Sequence, residues 1–256
     1  MSNPLLDLRA RLVIAHRGNR VAAPENTVVA LADAERLGAD ALEFDVRTTR
    51  DGVPVLMHDA TVDRTTNGRG KVDALSLADL QSLDASRARS ESGQRVSIPT
   101  LEEVLDRFRR VPLVIEIKDV RGIEPATRLI RAMQLEERIV IGSAERAVMD
   151  RLYATGLAAC ASMRDALRLL PFALLGGTPD TPRFQVLSVT PNHLGLPIPV
   201  VRLASAARKV GVATQVWTVN DASLARRFWE GGVAGIITDD PAAMLRARSQ
   251  SFGEGT

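Results

Sequence analysis

Two short strings in the sequence set ionisable side chains two residues apart inside apolar runs, Glu43-Phe44-Asp45 and Glu116-Ile117-Lys118. Side chains alternate along a strand, so Glu43 and Asp45 share one side, as do Glu116 and Lys118. A third run, Leu12 to His16, ends in His16-Arg17-Gly18. Carboxylates gathered at one point repel unless a cation holds them, and an all-oxygen donor set suits a hard ion, Mg²⁺ or Ca²⁺. Two imidazoles, His16 and His58, suit general acid and base work because such rings take and give protons near neutral pH. Arg17 offers a planar fork to non-bridging phosphate oxygens, and Lys118 a point charge.

The charges decide what this set would attract. Glu43, Asp45 and Glu116 carry −3 together, whereas a divalent ion with Arg17 and Lys118 carries +4, leaving a surplus of +1 that a phosphodiester monoanion neutralises. Without the ion the same residues stand at −1 and repel that substrate. Metal and phosphate ester are therefore implied together. Taken singly, each piece more often serves structure, as an ion-paired strand end or a hydrogen-bonded histidine. Converging, they are hard to explain as stability devices, because burying so many charges is expensive.

Convergence requires a scaffold, and the apolar pattern specifies one. Short strand-like runs at Leu12 to His16, Ala41 to Thr48, Leu113 to Lys118, Ile139 to Ser143, Leu157 to Ser162, Gln185 to Val189, Ala213 to Val219 and Gly235 to Thr238 alternate with helical-period segments. Those segments cover about Val28 to Leu37, Leu101 to Phe108, Ile123 to Met133, Ala144 to Ala154, Val201 to Val210, Ala222 to Glu230 and Ala242 to Arg248. Asn26 is the expected cap of the first helix and Gly38 its terminator. Eight such strands predict an α/β fold of the (β/α)₈ TIM barrel type, whose strand C-termini converge on one mouth. An open doubly wound sheet is the alternative, weakened because no Gly-x-Gly-x-x-Gly fingerprint follows the first strand. A further run, Val53 to His58, follows the second strand too closely for a parallel crossover and reads as an antiparallel hairpin return. Folding about Asp51-Gly52 sets His58 opposite Asp45 and brings it to the mouth.

The chain reads as one domain over residues 1–256 with a small insertion over 59–98 after this hairpin. The insertion holds the turn Thr65-Thr66-Asn67-Gly68-Arg69-Gly70, a short helix capped by Ser76 with Asp79 at its third position, and a polar run from Ser86 to Ser97. A loop that long is usually functional or a small subdomain. Of 33 cations only Lys71, Lys118 and Lys209 are lysine, and the net charge of +2 is too balanced for a nucleic-acid-binding face. One cysteine, Cys160, excludes an intrachain disulfide and reads as core filler. No apolar run approaches the roughly 20 residues of a membrane helix, and charges at Asp7, Arg9 and Arg11 interrupt any signal-like stretch, so a cytoplasmic protein without an integral membrane segment is expected. Trp217 either walls the pocket or packs in the barrel, Asp239 caps the last helix or pairs with Arg17, and His193 reads as structural.

As a set these residues resemble the glycerophosphodiester phosphodiesterase family. The resemblance runs through His16-Arg17-Gly18, Pro24-Glu25-Asn26-Thr27, Gly38-Ala39-Asp40, Glu43-Phe44-Asp45-Val46, Asp51-Gly52-Val53-Pro54-Val55, His58-Asp59, Asp63-Arg64-Thr65-Thr66, Ile98-Pro99-Thr100-Leu101 and Glu116-Ile117-Lys118. It resumes in Trp217-Thr218-Val219-Asn220 and Gly235-Ile236-Ile237-Thr238-Asp239, and is thin from about Arg121 to Pro182. It implies a (β/α)₈ barrel that hydrolyses glycerophosphodiesters to an alcohol and sn-glycerol 3-phosphate. It assigns metal ligation to Glu43, Asp45 and Glu116, acid-base work to His16 and His58, and phosphate contact to Arg17 and Lys118. A lysophospholipase D is the nearest alternative, its acyl groove drawn from the insertion and the Pro171 to Leu175 stretch; a phosphate-ester binding barrel without turnover is the non-enzyme one.

Overall fold

The computed structural model describes residues 3–86 and 95–253 of the chain. Five strands, β1 (Leu12–His16), β2 (Ala41–Thr48), β3 (Pro54–Leu56), β4 (Leu113–Ile117) and β5 (Ile139–Gly142), lie in the first part of the chain. The others are β6 (Val186–Val189), β7 (Asn192–His193), β8 (Leu196–Pro197), β9 (Ala213–Val216) and β10 (Gly235–Thr238). Parallel pairing runs in the order β5-β4-β2-β1-β10-β9-β6, with β3 antiparallel on β2 and a separate β7-β8 hairpin. Two isolated parallel bridges, Ile141 to Ala159 and Cys160 to Val186, span the remaining gap between β5 and β6, so the expected fifth parallel strand closes the barrel as a two-residue contact. It is shorter than the apolar run predicts because side chains claim the neighbouring backbone. The Tyr153 hydroxyl donates to the Cys160 carbonyl at 3.0 Å and accepts from the Ser162 amide at 2.8 Å, while the Gln185 carboxamide oxygen takes the Ala159 amide at 3.0 Å.

Helices α1 (Val28–Leu37), α2 (Leu77–Gln81), α3 (Leu101–Arg107), α4 (Ile123–Ala132) and α5 (Arg146–Leu152) are followed by α6 (Met163–Leu175), α7 (Val200–Arg208), α8 (Ala222–Glu230) and α9 (Pro241–Phe252). Helix α6 is not expected from the apolar pattern because Pro171 interrupts it; Ser162 caps the helix by accepting from the Asp165 amide. At α1 the cap is Thr27, which accepts from the Ala30 amide at 3.2 Å, and not the expected Asn26. Helices of a (β/α)₈ barrel run back from the mouth, which places Pro171 to Leu175, the C-terminal end of α6, at the opposite face and removes them from any groove leading to the mouth.

Alternation along the strands sorts charge from apolar surface. On β2, Leu42, Phe44 and Val46 point outward into a core shared with Leu31, Leu101, Val104 and Leu105, while Ala41, Glu43 and Asp45 point into the barrel. The inner core is Ile14, Ala41, Val114, Val140, Cys160, Val186 and Ala213, closed from below by the fully buried Leu5. Cys160 is filler, as expected, and burial together with the charges of Glu116 and Glu43 pushes its thiol up to about 12.

The hairpin differs from its expected register by one residue. Pairs Val46 to Leu56 and Arg47 to Val55, with the Met57 amide on the Asp45 carbonyl at 3.0 Å, set Met57 opposite Asp45 where His58 was expected. The turn explains the slip. Thr49 pairs with Val53 and Gly52 takes φ +87°, so the loop has the three residues Arg50, Asp51 and Gly52, with a glycine in the left-handed region. His58 therefore lies just past the strand. Beyond it, Val62, Val72, Leu80, Ala85 and Ile98 form a small separate core with Val55 and Met57, and Ser76 and Asp79 make the expected capping box. Much of the polar run from Ser86 to Ser97, residues 87–94, lies outside the described residues.

Candidate active site

The C-terminal ends of β1, β2 and β4 are neighbours, with His16 beside Glu43 and Asp45 beside Glu116 in register. One carboxylate oxygen from each of Glu43, Asp45 and Glu116 lies within 4.8 Å of the others, the one such acidic grouping of metal-ligating geometry among the described residues. Burial and the charges of Asp45 and Glu116 push the Glu43 carboxyl well above the usual range. Asp45 is held below it, because the charges of Lys118 and Arg17 and a hydrogen bond from Asn26 outweigh its burial. The Lys118 ammonium sits 2.8 Å from Asp45 Oδ1 and 2.7 Å from Glu116 Oε1, and Arg17 Nε sits 2.9 Å from Asp45 Oδ2. Neither Asp45 Oδ1 nor Arg17 Nε completes a hydrogen bond of good geometry, so these contacts are Coulombic and leave a buried carboxylate oxygen with open lone pairs. Three oxygen donors, a repelled Glu43 and an unsatisfied Asp45 oxygen fit a hard divalent cation.

The loop after β1 is held in an unusual backbone to make this set. Arg17 has φ +57° and Gly18 φ +83°. At Gly18 a Cβ would stand 2.5 Å from the Ala30 backbone, so only glycine fits there. The Arg17 amide donates to the Glu43 carbonyl at 2.8 Å and to Glu43 Oε2 at 3.0 Å, tying the loop to the acidic cluster. Asn26, also left-handed at φ +57°, donates to Asp45 Oδ2 at 2.9 Å and accepts from the Asp45 amide at 3.1 Å. Its role is to orient a candidate ligand, and a cap-like Asn before a helical pattern conceals it.

Both histidines are held through Nδ1. His16 Nδ1 lies 2.7 Å from Asp239 Oδ1, which also accepts from Arg20 at 2.6 Å, and Asn220 donates to Oδ2 at 3.1 Å. Asp239 therefore pairs with His16 and not with Arg17, and Asp240 is the residue that caps α9. Burial alone would raise the Asp239 carboxyl, but the bonds from His16 and Asn220 and the charge of Arg20 hold it well below the usual range. A carboxylate has no proton to give, so Nδ1 carries it and Nε2, 4.0 Å from Glu43 Oε2, is free on the cluster side. His58 repeats the arrangement with Nδ1 2.7 Å from Asp59 Oδ1, and it lines a small cavity with Asn26 and Glu25. The pairing of Asp239 with His16 spans most of the chain, and no spacing rule exposes it. Asp59 follows His58 directly in the sequence, and only the structure pairs the two.

Trp217 stands at the mouth end of β9, 45 % exposed, so it is not barrel packing. Gln215 below it is fully buried. His193 lies exposed on the β7-β8 hairpin.

A barrel whose mouth joins a carboxylate trio, two aspartate-held imidazoles and paired cations defines a class, the metal-assisted hydrolases of phosphate esters. The comparisons narrow it. Residues 16–243 match the model of the Glycerophosphoryl diester phosphodiesterase family, and the chain belongs to that family. A glycerophosphodiester phosphodiesterase of Caldanaerobacter subterraneus subsp. tengcongensis is 33 % identical over 252 residues, covering 91 % of this chain and 96 % of that protein. Among solved structures, an Oleispira antarctica phosphodiesterase in complex with the product sn-glycerol-3-phosphate superposes with TM-score 0.78 at 26 % identity, covering 92 % of this chain and 96 % of that one. The glycerophosphodiester phosphodiesterase of Agrobacterium tumefaciens also gives 0.78 at 26 % identity, with 96 % and 100 % coverage. No helix among the described residues is long and apolar enough to cross a membrane.

Proposed function

We propose that this protein hydrolyses glycerophosphodiesters to an alcohol and sn-glycerol 3-phosphate, with Glu43, Asp45 and Glu116 holding a divalent ion, Mg²⁺ or Ca²⁺. The observation that carries this reading is the trio of carboxylate oxygens within 4.8 Å, flanked by two imidazoles whose Nδ1 atoms are each taken by an aspartate. When bound, such an ion polarises a phosphoryl oxygen and makes a nearby hydroxyl easier to deprotonate.

The chain's own residues supply the rest. Arg17 and Lys118 bind and orient the non-bridging oxygens, and both already lie against Asp45. His16 takes the proton of the attacking hydroxyl, either the glycerol 2-hydroxyl or water, at its free Nε2. His58, whose side chain is 35 % exposed against 12 % for His16, stands nearer solvent, and its Nε2 gives a proton to the departing alcohol oxygen. Trp217 walls the approach. The insertion over 59–98, whose described residues share a small core with Val55 and Met57, shapes the side of the pocket that His58 enters. A buried lone cysteine suits the reducing cytoplasm, where we place the protein.

The structure completes the charge reckoning. Around the seven residues already counted stand Arg20 and Arg64 against Glu25, Asp59 and Asp239, which lowers the ion-loaded total to zero with both histidines neutral. One protonated histidine restores the +1 that matches a monoanionic diester, which is the state an acid-base pair needs to begin a turnover. The test is turnover of the glycerol, ethanolamine and choline diesters after chelation, with Mg²⁺, Ca²⁺, Mn²⁺ or Zn²⁺ restored singly. Activity that returns with Mg²⁺ or Ca²⁺ and is lost in His16→Ala and His58→Ala is expected. Near-wild-type turnover in both variants overturns the assignment, and release of a phosphatidic-acid-type product from acylated substrates alone would favour the lysophospholipase D.

A further inference from the structure

One largely buried carboxylate beside the site, counted above only for its charge, makes no contact that the chemistry uses. The Glu25 side chain, 9 % exposed, takes three guanidinium groups on two oxygens. Arg17 donates to Oε1 at 2.9 Å and Arg20 to Oε2 at 3.1 Å, while Arg64 grips both oxygens, at 2.7 Å on Oε1 and 3.0 Å on Oε2. Two of those arginines continue outward in opposite directions. Arg20 reaches Asp239 at 2.6 Å, the aspartate that holds His16. Arg64 reaches Asp59 at 2.6 Å, the aspartate that holds His58. From Glu25, His58 is thus two side chains away, and His16 is reached through Arg20 both by way of Asp239 and directly, Arg20 Nη1 lying 3.4 Å from His16 Nδ1. One path enters through the loop after β1 and the end of β10, the other through the insertion.

We propose that Glu25 is a positioning residue that sets both histidines at once, through Arg20 and Asp239 on one side and Arg64 and Asp59 on the other. His16 belongs to the barrel, whereas His58 and Arg64 belong to the hairpin end and the insertion, which carry a separate small core. Something must register these two bodies to well under an ångström, because misplacing a catalytic group by about 1 Å costs on the order of a hundredfold in rate. A bidentate guanidinium pair is the stiffest contact available for this, since it fixes an orientation as well as a distance. Arg64 makes one such pair to Glu25 and another to Asp59, so a planar group bridges barrel and insertion at the histidine itself. Burial works against ionised Glu25, but the bonds and charges of its arginines hold it down to about 2, so the clamp is charged at neutral pH.

The catalytic part of this role rests on the hydrolase reading, whereas the geometric part does not, and the test separates them. The chain has only three histidines, so long-range ¹H–¹⁵N spectra of the full-length protein contain three imidazoles, assigned with His16→Ala, His58→Ala and His193→Ala. Glu25→Gln, which keeps volume and removes charge, is expected to shift the ring signals of both His16 and His58 and leave His193 in place. Arg20→Ala is expected to shift His16 alone, and Arg64→Ala, at a half-exposed position, His58 alone. With glycerophosphoethanolamine, both arginine variants should lose about tenfold to a hundredfold in kcat with KM little changed. In Glu25→Gln, KM should rise as well, because Arg17 loses a partner. Glu25→Gln spectra in which neither ring, or only one, moves overturn the proposal, as does an arginine variant that moves both rings equally. If Glu25→Gln fails to fold, the two arginine variants decide by the same criterion. Wild-type protein inactive on every glycerophosphodiester with every ion would sink the hydrolase reading, and the ring shifts would still decide the clamp.

Discussion

Acid should act on this protein through Glu25 in a way that can be measured. Its carboxyl is held near 2 against an ordinary 4.5, because hydrogen bonds and charges from Arg64, Arg17 and Arg20 overcome its burial. A folded-state value below the unfolded one means that folding is favoured where the group is ionised in both states; that stability is full above about pH 5 and declines as pH falls toward 2. The difference of about 2.5 pH units corresponds to about 3 kcal/mol at neutral pH, since each unit is worth about 1.4 kcal/mol. By pH 3.5 the same relation removes about 1.4 kcal/mol of it. Glu25→Gln cannot titrate, so the stability gap between wild type and variant should be about 1.4 kcal/mol smaller at pH 3.5 than at pH 7. Urea unfolding of both proteins at the two pH values, in the same buffer and without metal, reads this difference of differences directly. Asp59 and Asp239 are also held low, but they titrate in both proteins and cancel to first order. A gap that stays constant or widens in acid would refute the reasoning.

Three further outcomes are expected. Asp239→Asn keeps shape but can present an N–H to His16 Nδ1, moving the ring proton to Nε2, so kcat should fall by roughly 10²-fold or more with fold and metal affinity retained; an unchanged kcat would show that the pair does not set the tautomer. Gly18→Ala must fit a Cβ 2.5 Å from the Ala30 backbone at φ +83°, so it should cost about 2 kcal/mol or more in denaturant unfolding, whereas Gly52→Ala, with open space around it, should cost less. Because burial, Asp45 and Glu116 raise the Glu43 carboxyl, binding of Mg²⁺ or Ca²⁺ should expel a proton and tighten as pH rises; calorimetry in buffers of different ionisation enthalpy measures that release, and an absence of buffer dependence would contradict it.

The acidic trio was legible in the primary structure for a local reason. Strand alternation fixes which residues share a side, and Glu43, Asp45, Glu116 and Lys118 need only that rule and neighbouring strands to meet. His58 depends on one more step, the turn, and its register is off by a residue from the expected one because Asp-Gly suits both a two-residue and a three-residue loop. Asn26 serves Asp45 and not the helix, and Asn before a helical pattern looks the same in either role. Helix α6 was hidden by Pro171, whose effect on a pattern is the same inside a helix as at its end.

What the amino-acid order determined by itself is the set of candidate groups and the kind of scaffold that collects them, because both follow from short-range periodicity and from residue chemistry. What only the tertiary structure decided is how those groups are held. Asp239 meets His16 across 223 positions, Arg64 meets Glu25 across 39, and Ala159 and Cys160 close the barrel with two bridges where a strand was expected. Such contacts depend on loop paths and guanidinium reach, and carry no period along the chain; they exist only once the barrel has closed and the loops at its mouth have packed against it.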